Sequence, residues 1–378
     1  MFFTNEKKRC YILSMSRLCH ILHCASVTFL CCISLFTNNG AYAAGLNGVF
    51  DAGWTTAYQS QDSLTRMHQR LQSLGMEYIV LQYAAVEAIH LYYPSQLDFL
   101  QNTQYKNNQL FPKSIEAAKI AGTKIWLGLY YDGDGWFTPP TITQLDTLSA
   151  RNVRVLNELY DFYGREKVIE GVYIPQEIAR YYWDGLREDA TTESLVLHFL
   201  KPLVDAANAV GWKVIAAPFY NQNLESPEKL QSFFESLFAV GFKPDVIAVQ
   251  DGIGANDAGK IHADIATVGN YERAVAQACA KYGIEFWVDA ELFRTDDSKA
   301  LADGARISAQ LDTARASGVV NVIGYDLAVL GNVGLDSLEQ WALQSTVGLK
   351  KSHNPNKNPQ KLLKFYKLNG ARVYLDRR

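Results

Sequence analysis

The 378 residues carry 36 Lys and Arg against 39 Asp and Glu, a net charge of −3, with 48% hydrophobic and 12% aromatic residues. That apolar fraction supports a large buried core and excludes a chain disordered throughout. Residues 1–44 contribute +3 and residues 351–378 contribute +7, so the body between them stands at −13, a balance that argues against nucleic acid as a ligand.

At the amino terminus Lys7, Lys8, Arg9 and Arg17 precede an apolar stretch from about Ile21 to Phe36. Ala41-Tyr42-Ala43 then supplies an A-x-A cleavage pattern. This reads as a secretory signal peptide over 1–44, so the predicted location is periplasmic or secreted. A membrane anchor is the alternative, but the run is short for a span and diluted by Ser26, Thr28 and Ser34. Five of the six cysteines fall in this segment, leaving Cys279. One thiol forms neither an internal disulfide nor a zinc-binding cluster.

Eight strand-like runs follow, near 46–50, 77–83, 123–130, 169–176, 212–218, 244–250, 284–291 and 319–326. Helical stripes separate them, such as Leu145, Leu148, Leu156 and Leu159, or Leu195, Phe199 and Leu203. Strands alternating with helices predict βαβ units and a parallel sheet. Eight units in a body of this length predict a single (β/α)8 TIM barrel over 45–350, an α/β fold. A doubly wound sheet is the alternative, yet the first βα turn has no glycine fingerprint for a dinucleotide. Residues 351–361, broken by Pro355 and Pro359, read as a linker to a basic tail. Its Asn369-Gly370 centre predicts a hairpin. The tail is either a solvated appendage or an electrostatic contact to an anionic glycan or membrane surface.

Side chains alternate faces along a strand, so phase assigns them. In the seventh run Phe286, Val288 and Ala290 form the outward set, which turns Glu285, Trp287, Asp289 and Glu291 into the barrel. In the fourth, Val172 and Ile174 face outward, and Tyr173, Pro175 and Glu177 inward. In the third, Trp126, Gly128 and Tyr130 are the inward set. Chemistry in such barrels sits at the carboxyl ends of the strands. Glu177 and Glu291 therefore meet there as a carboxylate pair of the kind that cleaves glycosidic bonds with retention. A lone glutamate at a barrel end reads as a salt bridge; two on opposite strands read as catalytic, with Glu291 the nucleophile and Glu177 the acid/base.

The order of an amide and Glu after strand four (Gln176-Glu177) and Glu after strand seven is similar to the clan of retaining TIM-barrel glycoside hydrolases. Its usual amide is Asn, so Gln176 departs from the pattern. The chain resembles more closely a bacterial family of glycoside-hydrolase-like barrels catalogued as a domain of unknown function. The resemblance rests on Tyr92-Tyr93-Pro94-Ser95, Leu127-Gly128-Leu129-Tyr130, Gly171 to Ile178, Ala217-Pro218-Phe219-Tyr220, Val249 to Gly254 and Trp287 to Phe293. It implies a glycan-processing barrel without naming a substrate.

Gln82, Tyr130, Tyr173, Tyr220, Gln250, Asp251, Trp287 and Tyr325 fall at or beyond strand ends, where amides and carboxylates take hydroxyls and aromatic faces take pyranoses. Each aromatic alone reads equally as packing. Asp289 is a reserve base, as is Asp326, which has the outward phase. Trp136 is a candidate subsite wall, or else a pin for its glycine-rich loop. The remaining histidines show no ligand spacing, so neither metal nor cofactor is predicted. Lys124 and Lys213 begin their strands, at the end that serves stability, which argues against a Schiff-base enzyme. The predicted function is hydrolysis of a bacterial exopolysaccharide or related glycan. The alternative is a non-catalytic glycan-binding barrel associated with polysaccharide export.

Overall fold

The computed structural model describes residues 45–133, 140–183, 191–254, 263–294, 300–331 and 335–339. The predicted signal peptide, the basic tail and Trp136 lie outside these residues. Eight parallel strands close into a barrel: β1 Gly48–Asp51, β2 Tyr78–Leu81, β3 Lys124–Gly128, β4 Ile169–Ile174, β5 Lys213–Ala216, β6 Val246–Gln250, β7 Glu285–Glu291 and β8 Asn321–Tyr325. Neighbours around the ring follow chain order, and β8 closes on β1 with Ile323 beside Gly48. Each strand overlaps its predicted range, and the fold is the predicted (β/α)8 barrel.

The predicted alternation holds along the strands. Phe50, Val80, Trp126, Tyr173, Ile215, Ala248, Trp287 and Ile323 form a core inside the barrel. Their neighbours in sequence, among them Ile79, Ile125, Leu127, Val172, Ile174, Val288 and Ala290, pack outward under the helices. Each Val, Ile, Leu or Phe side chain among them contributes roughly 1.5–3 kcal/mol on full burial.

The longer helices are α1 Gln61–Ser73, α2 Leu110–Ala121, α3 Ile142–Tyr163, α4 Lys201–Ala209, α5 Pro227–Val240, α6 Val268–Tyr282 and α7 Gly304–Ala316. Thr141 and Gln144 form a capping box that starts α3, and its Leu145, Leu148, Leu156 and Leu159 supply the buried stripe. Gly122 and Gly283 end α2 and α6 in the left-handed region at φ 80 and 71, where a Cβ would be strained. The predicted stripe of Leu195, Phe199 and Leu203 continues through a π turn, Val196–Leu200, into α4.

The predicted third run, 123–130, is two elements. Gly128 lies so close to the backbone of Gln82 that a Cβ there would come within 2.1 Å of its carbonyl oxygen. Beyond it Tyr130–Tyr131 leaves the barrel and pairs with Ala85–Val86. With His90–Leu91 and Tyr105–Lys106 these make a small four-stranded sheet beside the mouth. At the opposite, amino-terminal end of the barrel a cleft of about 500 Å³ is lined by residues that begin strands, including Tyr78, Lys213 and Glu285.

Candidate active site

β7 carries two interior carboxylates to the mouth: Asp289, and one layer higher Glu291, the last residue of the strand. They are 2% and 7% exposed. Glu291 is fixed through its backbone rather than left to the flexibility of a strand end. Its N–H donates to Asp251 Oδ1 at 3.2 Å, and its carbonyl accepts from Arg306 Nη2 at 2.7 Å and Gln310 Nε2 at 3.1 Å. Gln310 also donates to Asp251 Oδ2 at 2.6 Å, so α7, the end of β6 and the end of β7 share one network.

Glu177 arrives from the other side, three residues past the end of β4, and is half-buried. Gln250, at the end of β6, donates from Nε2 to Glu177 Oε1 at 3.4 Å and to the Ala217 carbonyl at 3.0 Å. Gln176 is buried, and its Nε2 donates to the Tyr130 carbonyl at 2.9 Å, which ties β4 to the strand beside it. Gln82 lies beside the Tyr325 hydroxyl on the β2–β8 side and partly offsets the rise that burial gives that hydroxyl.

Burial raises the carboxyl of Glu177, and the hydrogen bond from Gln250 partly offsets the rise. Asp289 is held far above the usual carboxylate range, first by burial and then by the charges of Glu291, Asp251, Glu177 and Asp326. Its Oδ1 has no hydrogen-bond partner among the described residues. Asp251 is pushed up to about 6 by burial, against its hydrogen bonds from Gln310, Ile253 and Glu291. Asp51 likewise rises to about 6, through burial and less through Asp326, with Thr56 and Gly53 opposing. Carboxylates crowded in a dry site cannot all ionise, so the mouth retains protons well into the neutral range.

The predicted residues thus separate into distinct places. Glu177, Asp289, Tyr173 and Tyr325 lie within reach of one another's charge at the carboxyl end, with Glu291 beside Asp289, Gln250 on Glu177 and Gln82 beside Tyr325. Asp251 accepts from the backbone of Ile253 and Glu291 and from the Gln310 side chain, and Gln176 donates to the Tyr130 carbonyl, so both tie elements together around the site. Tyr220 is 1% exposed, stacks on Tyr271 at 4.4 Å and donates to the Asp251 carbonyl. Tyr130 packs edge-on to Phe99. Trp287 lies deep in the barrel against Tyr78 and Trp126, and its Nε1 donates to Glu285 near the amino-terminal end. Asp326 is buried at the mouth despite its outward phase, because β8 ends at Tyr325 and alternation ends with it.

Sequence reading missed Tyr83 and Tyr131, whose hydroxyls feel the charge of Glu177. It also missed Arg306 and Gln310, whose partner is the backbone of Glu291. Tyr83 and Tyr131 follow strand ends, a signal that was available; the helix pair carried none. Among the described residues no group of three His, Cys, Asp or Glu side chains is arranged to hold a metal ion. Cys279 is buried, and burial pushes its thiol up to about 12, as for an inert core thiol.

Residues 55–332 match the model of a domain of unknown function, DUF4434. The chain belongs to the DUF4434 family. No curated protein matches the sequence. Among solved structures the DUF4434 barrel is similar to a candidate alpha-L-fucosidase from Bacteroides thetaiotaomicron. The TM-score is 0.62 at 17% identity, over 81% of this chain and 94% of that one. It is also similar to the endo-1,4-beta-D-mannanase of Thermotoga petrophila, with a TM-score of 0.50 at 10% identity, over 74% of this chain and 88% of that one. At these identities the likeness is one of fold, and DUF4434 shares that fold with proteins described as glycoside hydrolases.

Proposed function

We propose that this DUF4434 protein is an exported glycoside hydrolase acting on a bacterial exopolysaccharide or related glycan with retention. The observation that carries the reading is that Glu177, just past the end of β4, and Glu291, at the end of β7, both stand at the carboxyl end of the barrel within reach of the same buried carboxyl, Asp289. The rise of Glu177 suits an acid that must hold its proton at working pH. Glu291, with its backbone locked, suits a nucleophile.

In the first step a Glu291 oxygen bonds to the anomeric carbon as the bond to the leaving oxygen breaks, and Glu177 gives that oxygen its proton. In the second, Glu177, now ionised, takes a proton from water. The water oxygen bonds to the anomeric carbon and Glu291 is released. Asp289, Gln250, Gln82 and Tyr325, at the same end of the barrel, serve as hydroxyl-binding groups.

The test is sugar release from a panel of bacterial polysaccharides. Glu177→Gln and Glu291→Gln are each expected to lower turnover by about 10²–10⁴-fold or more. Release unaffected by either change would refute the assignment. Saturable binding with no release from any substrate would instead support a glycan-binding barrel associated with export.

A further inference from the structure

The small sheet beside the mouth has no role in closing the barrel, yet it carries an ordered row of rings. Its strands run in the order Tyr105–Lys106, His90–Leu91, Ala85–Val86, Tyr130–Tyr131. Tyr105 is in register with His90, His90 with Val86, and Val86 with Tyr131, so these four residues occupy one cross-strand row. Where Val86 interrupts the row, Trp54 from the loop after β1 and Tyr83 from the end of β2 fill in. The ring centroids step from Tyr105 to His90 by 5.2 Å, to Trp54 by 5.3 Å, to Tyr83 by 6.1 Å and to Tyr131 by 5.5 Å. These are ring-contact distances, so the five rings form one continuous aromatic strip.

The row runs from solvent to chemistry. Tyr105 is 47% exposed and Trp54 44%, Tyr83 and Tyr131 are half-buried, and the last two lie near the charge of Glu177. Trp54 and Tyr105 are large rings open to water at the outer end of the row, with His90 stacked on Tyr92 and Tyr105 to brace them, and such rings suit a partner that offers flat apolar faces. Charge narrows the partner. Glu87, Asp132 and Glu177 border Tyr131. The nearby arginines are engaged, Arg151 with Asp132 at 3.5 Å and Arg154 with Asp98 at 2.6 Å. With both arginines paired, neither is left to take the anionic groups of a charged polymer, and Glu87 adds a negative charge beside Tyr131.

We infer that the row Tyr105–His90–Trp54–Tyr83–Tyr131 is an extended binding track for a neutral polysaccharide chain, leading its residues one ring at a time to Glu177. The inference rests on the proposed hydrolase reading for the direction of the track, though binding along it does not require turnover. It makes the substrate a polymer threaded across the β1–β3 rim rather than a short terminal glycoside.

The test is affinity electrophoresis of the full chain in native gels cast with glucomannan, xylan or hydroxyethylcellulose, with alginate as the anionic comparison. At least one neutral polymer is expected to retard the protein. Trp54→Ala and Tyr105→Ala are each expected to weaken retardation roughly three- to tenfold, Trp54→Phe to recover most of it, and Glu177→Gln to keep it. Unchanged thermal midpoints establish that the variants fold. The inference is overturned if no neutral polymer retards the protein, if alginate alone does, or if both alanine variants are retarded like the parent. Sugar release in the same samples separates the two readings. Loss of release in Glu177→Gln with intact retardation of both alanine variants sinks the track and leaves the hydrolase; retardation dependent on Trp54 and Tyr105 with release intact in Glu177→Gln does the reverse.

Discussion

Gln250 is the residue through which the acidity of Glu177 is adjusted. Its amide donates to the ionised form of that carboxyl and so lowers a value that burial raises. Replacing it by Leu removes only the lowering influence. Glu177 then holds its proton to higher pH, and the alkaline limb of the pH–rate profile is expected to move in the alkaline direction. A limb that stays in place in Gln250→Leu would show that another group sets it. Residues of this kind were half legible in the sequence. Gln250 ends a strand and was readable by position, as were Glu177 and Glu291 by phase. Asp251 was readable as a mouth residue but not as a positioning one, because its partners, the N–H of Glu291 and the side chain of Gln310, come together only when the ring closes.

At the scale of elements, alternation with period two made the barrel interior readable, since each strand is buried on both sides and a slip by one residue would exchange two cores. It failed wherever a strand stopped. Asp326, Tyr83 and Tyr131 all lie just past such ends, and the small sheet is built from strands two residues long that no periodicity announces. The hold of α7 on the end of β7 was equally invisible, because Arg306 and Gln310 lie on a helix whose stripe is defined by Ile307, Leu311 and Ala314. Gln310→Ala takes the amide donor from buried Asp251 Oδ2 and leaves the Glu291 carbonyl to Arg306, which costs about 1–3 kcal/mol. Chemical denaturation is expected to show that loss, and steady-state kinetics a fall in kcat larger than the change in KM. A KM effect alone would mean that the helix does not steady the nucleophile.

The whole molecule bears an unusual load of buried acid. Asp51 and Asp251 rise from 3.8 to about 6 and Glu272 from 4.5 to about 7, each mainly through burial. Folded, these groups bind protons more tightly than in the unfolded chain. Their stabilising contribution is therefore complete below about pH 4 and is lost as pH climbs through 6 and 7. His68 acts in the opposite sense, since burial lowers it from 6.5 to about 4 and its contribution is lost as pH falls through that range. Three such acids, with Asp289 beside them, outweigh one histidine. The thermal midpoint is expected to be higher at pH 5 than at pH 7.5, by about 5 °C. A midpoint that rises across that interval would show these acids ionised in the native barrel.

The backbone lock on Glu291 also sets how far a shortened side chain can be forgiven. With its N–H and carbonyl both tied, the peptide cannot advance, so Glu291→Asp withdraws the carboxylate by a methylene and leaves a gap. Glu177 stands beyond the last residue of its strand. The two ends of the reaction thus differ in tolerance: Glu177→Asp is expected to keep measurable turnover, whereas Glu291→Asp falls to the level of Glu291→Gln. Equal loss in both aspartate variants would place the rigidity of the site elsewhere.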